Sequence, residues 1–196
     1  MNDIRDAYNL AANSYRAKYD SIPPRVEDVD VALSFSTKDN PKVVEIGCAY
    51  GREATYILSK TNQYIGIDVC DEFIKMAQEE IPQGTFVQAD VATYQFPQSV
   101  DVVLAFASLL HTSKEDMELV LQRIVKSLNS GGVVFLSLKR RDVYCDSVET
   151  DEYVSRQFYY YTRDTILDIA PSEFKEVYYE EQILKEPWFT MALQKL

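Results

Sequence analysis

Histidine is nearly missing from this 196-residue sequence: His111 stands alone, accompanied by three cysteines, Cys48, Cys70 and Cys145, with no C-x-x-C pair. No metal site built from several His and Cys ligands is expected from so few donors. An odd, sparse cysteine count reads as reduced thiols in a cytoplasmic chain. Positive charge is scarce as well: 20 Lys and Arg against 31 Asp and Glu leave a net charge of −11. Nucleic acid draws its affinity from cations on phosphates, so that partner is disfavoured, the one dense basic spot, Lys139–Arg141, being short. No apolar run approaches bilayer length, so no membrane partner is expected. The opening MNDIRDAYNLAANSYRAKYD lacks the apolar core of a secretory signal. Repeats and low-complexity linkers are missing too.

What is there suits a soluble globular protein. Its 46% hydrophobic and 26% charged residues are ordinary proportions, and 196 residues are most simply one domain, 1–196, with a full core. Helical spacing places Tyr8, Ala12, Tyr15 and Tyr19 on one face of a segment from Asp3 to Tyr19, which SIPP (Ser21–Pro24) stops. A second helix is expected over Arg25–Phe35. After TKDNP the pattern turns to short β-branched runs: Lys42–Gly47, Gln63–Asp68, Thr85–Asp90, Val100–Ala107 and Gly132–Lys139. Helices are expected between them at Arg52–Lys60, Asp71–Glu80 and Ser113–Leu128. The last has a serine cap with Asp116 at capping-box distance, and NSGG after it permits a left-handed C-cap.

Such alternation predicts a parallel sheet covered on both faces. The tail departs from it. After a helix near Arg163–Ala170, FKEVYYEEQIL and PWFTMALQKL are joined by a link short enough only for an antiparallel hairpin. Seven strands are expected, six parallel and the last antiparallel. Arg140–Tyr161 reads as an irregular loop on the binding side of the sheet.

VVEIGCAYGREATYIL (Val43–Leu58) is a strand, a glycine turn and a helix. The dinucleotide fingerprint G-x-G-x-x-G fails, because Ala49 and Arg52 occupy its second and third glycines. Glu45, Gly47, Ala49 and Gly51 instead lie at every second position. This resembles the E/D-x-G-x-G-x-G motif of class I S-adenosylmethionine-dependent methyltransferases, with the middle glycine replaced by alanine. YIGIDVCDEFIKMAQ, FVQADVATYQF, DVVLAFASLLH and RIVKSLNSGGVVFLSLK follow in the family's order, and the tail is similar to the ends of a small bacterial cytosolic subgroup.

The resemblance implies an α/β fold, a Rossmann-like three-layer αβα sandwich with sheet order 3-2-1-4-5-7-6 and the last strand antiparallel. It implies a helical cap over 1–40, a cofactor-binding core over 41–139, and an acceptor-side loop, helix and hairpin over 140–196. The cofactor would be S-adenosyl-L-methionine, the product S-adenosyl-L-homocysteine. Asp68 would grip the ribose, since a carboxylate accepts two hydroxyl hydrogen bonds. Asp90 would take the adenine amino group, Val91 would offer its amide, and Ala105 and Phe106 would lie near the methionine end. Gly47 and Gly51 would let the chain turn and approach the ligand, Ala49 and Cys48 standing between as small groups. Val69 beside Asp68, and Tyr15 folding over from the first helix, complete the cofactor set. Arg52, a cation placed against the helix dipole, needs a partner: the cofactor carboxylate or an acid such as Glu45.

The chemistry is methyl transfer to a small-molecule acceptor through oxygen, nitrogen or sulfur, which asks the protein mainly for alignment. His111 is either a general base at the rim or a packing residue at the start of the next helix. Ser108, Arg156 and Tyr159 are expected beside the acceptor, Arg156 as the holder of an anionic group; Tyr19 and Trp188 are read as packing. Methylation of protein or RNA with a partner, and a non-catalytic cofactor-binding module, are the alternatives. A monomer or a homodimer fits equally.

Overall fold

The computed structural model describes residues 4–183 and 185–196; Asp3 and Leu184, inside two expected segments, lie outside the described residues. The chain opens with α1 (Ile4–Tyr19) and α2 (Val26–Ser34). Then come β1 (Val43–Ile46), α3 (Ala54–Leu58), β2 (Tyr64–Asp68), α4 (Asp71–Glu80) and β3 (Thr85–Gln88). β4 (Val100–Phe106), a 3-10 turn at Leu109–His111, α5 (Lys114–Ser127) and β5 (Leu128–Lys139) follow. The last part holds β6 (Cys145–Thr150), β7 (Ser155–Tyr160), α6 (Arg163–Ile169), β8 (Phe174–Ile183) and β9 (Pro187–Lys195).

Seven strands form one sheet in the order β3-β2-β1-β4-β5-β9-β8. β9 runs antiparallel to both β5 and β8, and the other pairings are parallel. This is the expected arrangement once two extra hairpin strands enter the numbering. β1 and β4 are buried at every residue, as a sheet covered on both faces requires. Their side chains alternate between two cores. Val103 and Ala105 face the Met117, Leu121 and Ile124 side of α5, whereas Val102 and Leu104 join Val29 of α2, Ile57 of α3 and Ile74 of α4. A smaller cluster beneath α1 gathers Ala7, Ala11, Ala12 and Tyr15 with Phe73 and Val154.

Three local expectations are corrected. Residues 145–160 form a hairpin, Cys145 opposite Tyr160 and Thr150 opposite Ser155, where a loop was expected. Its first strand is acidic and alternates half-buried with exposed residues, so it shows no apolar run. NSGG does not cap α5, whose last residue leads into extended Leu128 (φ −70°, ψ 143°). Gly131, at φ +77°, instead sits in a register shift between β4 and β5. The Ser113 cap does form, its hydroxyl accepting the Asp116 amide at 3.2 Å. Finally, α3 begins at Ala54, because residues 51–53 still belong to the turn.

Candidate functional site

The parallel strands end on one edge of the sheet, and a cavity of about 720 Å³ opens there. Its floor is the turn after β1. Gly47, Ala49 and Gly51 take φ of +73°, +47° and +85°, so every second residue is left-handed. Gly47 has no room for a side chain: a Cβ there would stand 2.2 Å from Cβ of Ser108. Ala49 holds a conformation that costs an L-residue about 1–2 kcal/mol, which is the physical reason for glycine in the motif it departs from. The strain is offset by Asp68 at the end of β2. One carboxylate oxygen accepts the Ala49 amide at 2.9 Å and the other accepts the Cys70 amide at 2.9 Å. Burial pushes the Asp68 carboxyl up to about 6, and those two amides restrain the rise. Each oxygen keeps a further lone pair for a ligand hydroxyl.

Because β3 adjoins β2, Asp90 and Val91 line the cavity next to Asp68. Asp90 also fixes its own loop by accepting the Ala92 amide at 2.8 Å. Glu45 is 2% exposed and accepts the Tyr64 hydroxyl. Burial first, then the charge of Glu53, raises its pKa well into the neutral range. Arg52 pairs with Glu53 at 2.8 Å, not with Glu45, and it precedes the helix instead of opening it. The acid that answers its charge at the helix start is thus Glu53.

The roof is α1. Tyr15 is buried and donates to Asp151 at 2.6 Å, and Tyr19, which is 37% exposed, stacks on it with ring centres 6.1 Å apart. Tyr19 thus lines the cavity instead of the core. The expectation missed Tyr8. His111 stands in the 3-10 turn with Nδ1 2.6 Å from the Gln157 carbonyl, which can only accept, so the proton lies on Nδ1. Nε2 then accepts the Tyr8 hydroxyl at 2.8 Å, and Tyr8 in turn accepts Arg156 at 2.9 Å. Arg156 also donates to Asp151 at 2.7 Å. Burial drives His111 down to about 4 and Tyr8 up to about 12, so both are neutral near pH 7. Tyr8 shares the helical face of Tyr15, and that spacing was the available signal.

Tyr15, Glu45, Gly47, Cys48, Ala49, Arg52, Asp68, Val69, Asp90, Val91, Phe106, Ser108, His111 and Arg156 all line this one cavity. Three expected residues do not. Ala105 points into the core beside β5, and Gly51 borders a shallower concavity of about 390 Å³ with Arg16 and Tyr50. Tyr159 alternates away while its neighbour Phe158 faces in, as the two-residue strand period dictates. Trp188, read as packing, also lines the cavity, as do Ser137, Lys139, Glu149, Gln182 and Glu186. Arg156, expected to hold an anion, gives its two terminal nitrogens to Tyr8 and Asp151, while its buried Nε has no hydrogen-bond partner among the described residues.

Residues 43–132 match the family model described as a methyltransferase domain. Trans-aconitate 2-methyltransferase of Rhodopseudomonas palustris is 30% identical over 99 residues, 50% of this chain and 38% of that protein. The chain thus spans less than half the length of that relative. Among solved structures, 1,6-didemethyltoxoflavin-N1-methyltransferase of Burkholderia thailandensis aligns with a TM-score of 0.74 at 17% identity, covering 98% of this chain and 87% of that one. Magnesium protoporphyrin IX methyltransferase of Synechocystis aligns with a TM-score of 0.74 at 15% identity, over 98% and 95%. With its ordered motifs, its sheet order and its matched segment, which spans just under half of the chain, the protein is similar to the class I S-adenosylmethionine-dependent methyltransferases.

Proposed function

We propose that this protein binds S-adenosylmethionine and methylates a small molecule in the cytoplasm, as one domain with residues 1–40 as cap and 140–196 on the acceptor side. The observation that carries the reading is the Asp68 carboxylate, tied by two amides to the left-handed turn and open to the cavity. The donor set fits the cofactor. Six carboxylates line the cavity (Glu53, Asp68, Asp90, Asp116, Glu149 and Glu186), besides Glu45, whose charge burial suppresses, against four cations (Arg25, Arg52, Lys139 and Arg156). That balance favours a sulfonium cation and a pair of ribose hydroxyls and opposes the phosphates of a dinucleotide.

Asp68 would hold the ribose, Asp90 and Val91 the adenine, and the turn with Phe106 the methionine end. When bound, the cofactor supplies a methyl group already activated on sulfur, so the protein needs no covalent nucleophile. Tyr15 and Tyr19 cover the site and keep water out. Neutral His111 is positioned to accept a hydrogen bond from the acceptor once the Tyr8 hydroxyl vacates Nε2. The same acid-rich lining supports a small-molecule acceptor over nucleic acid. No helix among the described residues is long and apolar enough to cross a membrane.

Calorimetric titration tests the reading. S-adenosylmethionine and S-adenosylhomocysteine should bind, Asp68→Ala should weaken both by about a hundredfold, the loss expected for charge-assisted bonds, and NAD should give no heat. Equal binding by wild type and Asp68→Ala would remove the carboxylate from the site.

A further inference from the structure

Resting on the cofactor site proposed above, we infer that the acceptor is an uncharged aromatic molecule bearing a hydroxyl or ring N–H, and not a polycarboxylate. The cavity divides along the sheet edge. The motif residues of β1, β2 and β3 take one half, and the ends of β5, β7 and β9 supply the other. That second half contains three cations, and each is already neutralised. Lys139 donates to Glu186 at 2.7 Å and Glu149 at 3.1 Å. Arg25 donates to Asp28 at 2.6 Å and to the Ser137 hydroxyl at 3.2 Å. Arg156 is ion-paired with Asp151 and donates to Tyr8, its buried Nε alone keeping no partner among the described residues.

Four carboxylates thus answer these three cations and Arg141, which shares Glu186 at 3.6 Å. An entering carboxylate would meet a compensated wall, or would have to break a half-buried ion pair. Trans-aconitate, the tricarboxylate in the name of the relative described above, would need several cations free at once.

The apolar surfaces point the other way. Phe106, Phe158 and Trp188 line this half. The protein's own cations sit over two of these rings, Arg25 at 4.8 Å from the Phe106 centre and Lys139 at 4.3 Å from that of Phe158. Those contacts hold the rings as fixed walls, which suits a flat body. Tyr8 and His111, both neutral, also line the cavity, and once the Tyr8 hydroxyl turns away from Nε2 they offer a hydroxyl or ring N–H a polar partner without charge.

The experiment titrates the protein, saturated with S-adenosylhomocysteine, with naphthol, naphthoate and trans-aconitate near neutral pH. Naphthol and naphthoate share one aromatic body and differ in charge. Naphthol should bind about tenfold more tightly than either anion. The Glu149→Gln, Glu186→Gln double variant, which leaves the Lys139 charge unopposed, should bring naphthoate level with naphthol. Either anion binding as well as naphthol to the wild type would overturn the inference, and so would no naphthol binding up to about 1 mM. An unchanged preference in the double variant would overturn the assigned cause. Intact S-adenosylhomocysteine binding in those cases would leave the cofactor reading standing. Failure of S-adenosylhomocysteine itself to bind would overturn both.

Discussion

Replacing His111 with glutamine, which cannot titrate, tests the hydrogen-bond chain beneath α1 through its pH dependence. His111 has a folded pKa of about 4 against an ordinary 6.5, lowered by burial. The unfolded chain therefore takes up the proton first. Stability from the neutral ring is complete above 6.5 and drains away as pH falls toward 4. Between about pH 7.5 and about pH 5, the protonation terms of the two states diverge roughly thirtyfold, which is ~2 kcal/mol. Asp68 moves oppositely, since its raised folded pKa of about 6 favours the folded chain on acidification. That contribution is common to wild type and variant and cancels in their difference. The assay is urea unfolding of both proteins at the two pH values. The advantage of wild type over His111→Gln should shrink by ~2 kcal/mol at the lower pH, about 1 M in midpoint for a typical slope. An advantage that stays constant within ~0.5 kcal/mol, or grows, would show that His111 is not held neutral by burial.

Cofactor affinity should follow the ionisation of Asp68: with a folded pKa of about 6, S-adenosylhomocysteine should bind about tenfold more weakly at about pH 5 than at about pH 7.5 in calorimetry, and Asp68→Asn should abolish that dependence. Tyr8→Phe leaves His111 Nε2 and one Arg156 nitrogen without the hydroxyl between them, so urea unfolding should show a loss of ~1–3 kcal/mol, whereas Tyr159→Phe, off the cavity, should stay within ~0.5 kcal/mol. Gly47→Ala forces a Cβ to 2.2 Å from Ser108 at φ +73°, and thermal unfolding should register ~2–4 kcal/mol of destabilisation together with lost cofactor binding. Ala49→Gly should do the reverse, relieving about 1 kcal/mol of left-handed strain while leaving calorimetric affinity within about threefold.

The sheet was legible because its central strands β1 and β4 are buried at every residue and rich in Val, and the Ser113 cap announced α5 through its own side chain. The left-handed turn was legible as spaced glycines, and Ala49 showed that the conformation, not the glycine, is what the site retains. What stayed hidden depends on partners distant in sequence. The first strand of the β6–β7 hairpin alternates half-buried with exposed residues in an acidic segment, so its pattern resembles a solvated loop. Tyr8 and His111 are 103 residues apart, and nothing local in either segment joins them. Reading Tyr159 instead of Phe158 as the inward residue was an error of one position, which reverses the face of a strand. Arg52 found the acid next to it in the chain, in the turn that precedes α3.

A crystal structure of the protein with S-adenosylhomocysteine tests the central claim most directly. The ribose hydroxyls should lie within hydrogen-bond distance of the Asp68 carboxylate, with adenine beside Asp90 and the sulfur toward Phe106 and His111. A ligand bound with no contact to Asp68, or lodged outside the turn formed by Gly47, Ala49 and Gly51, would contradict it.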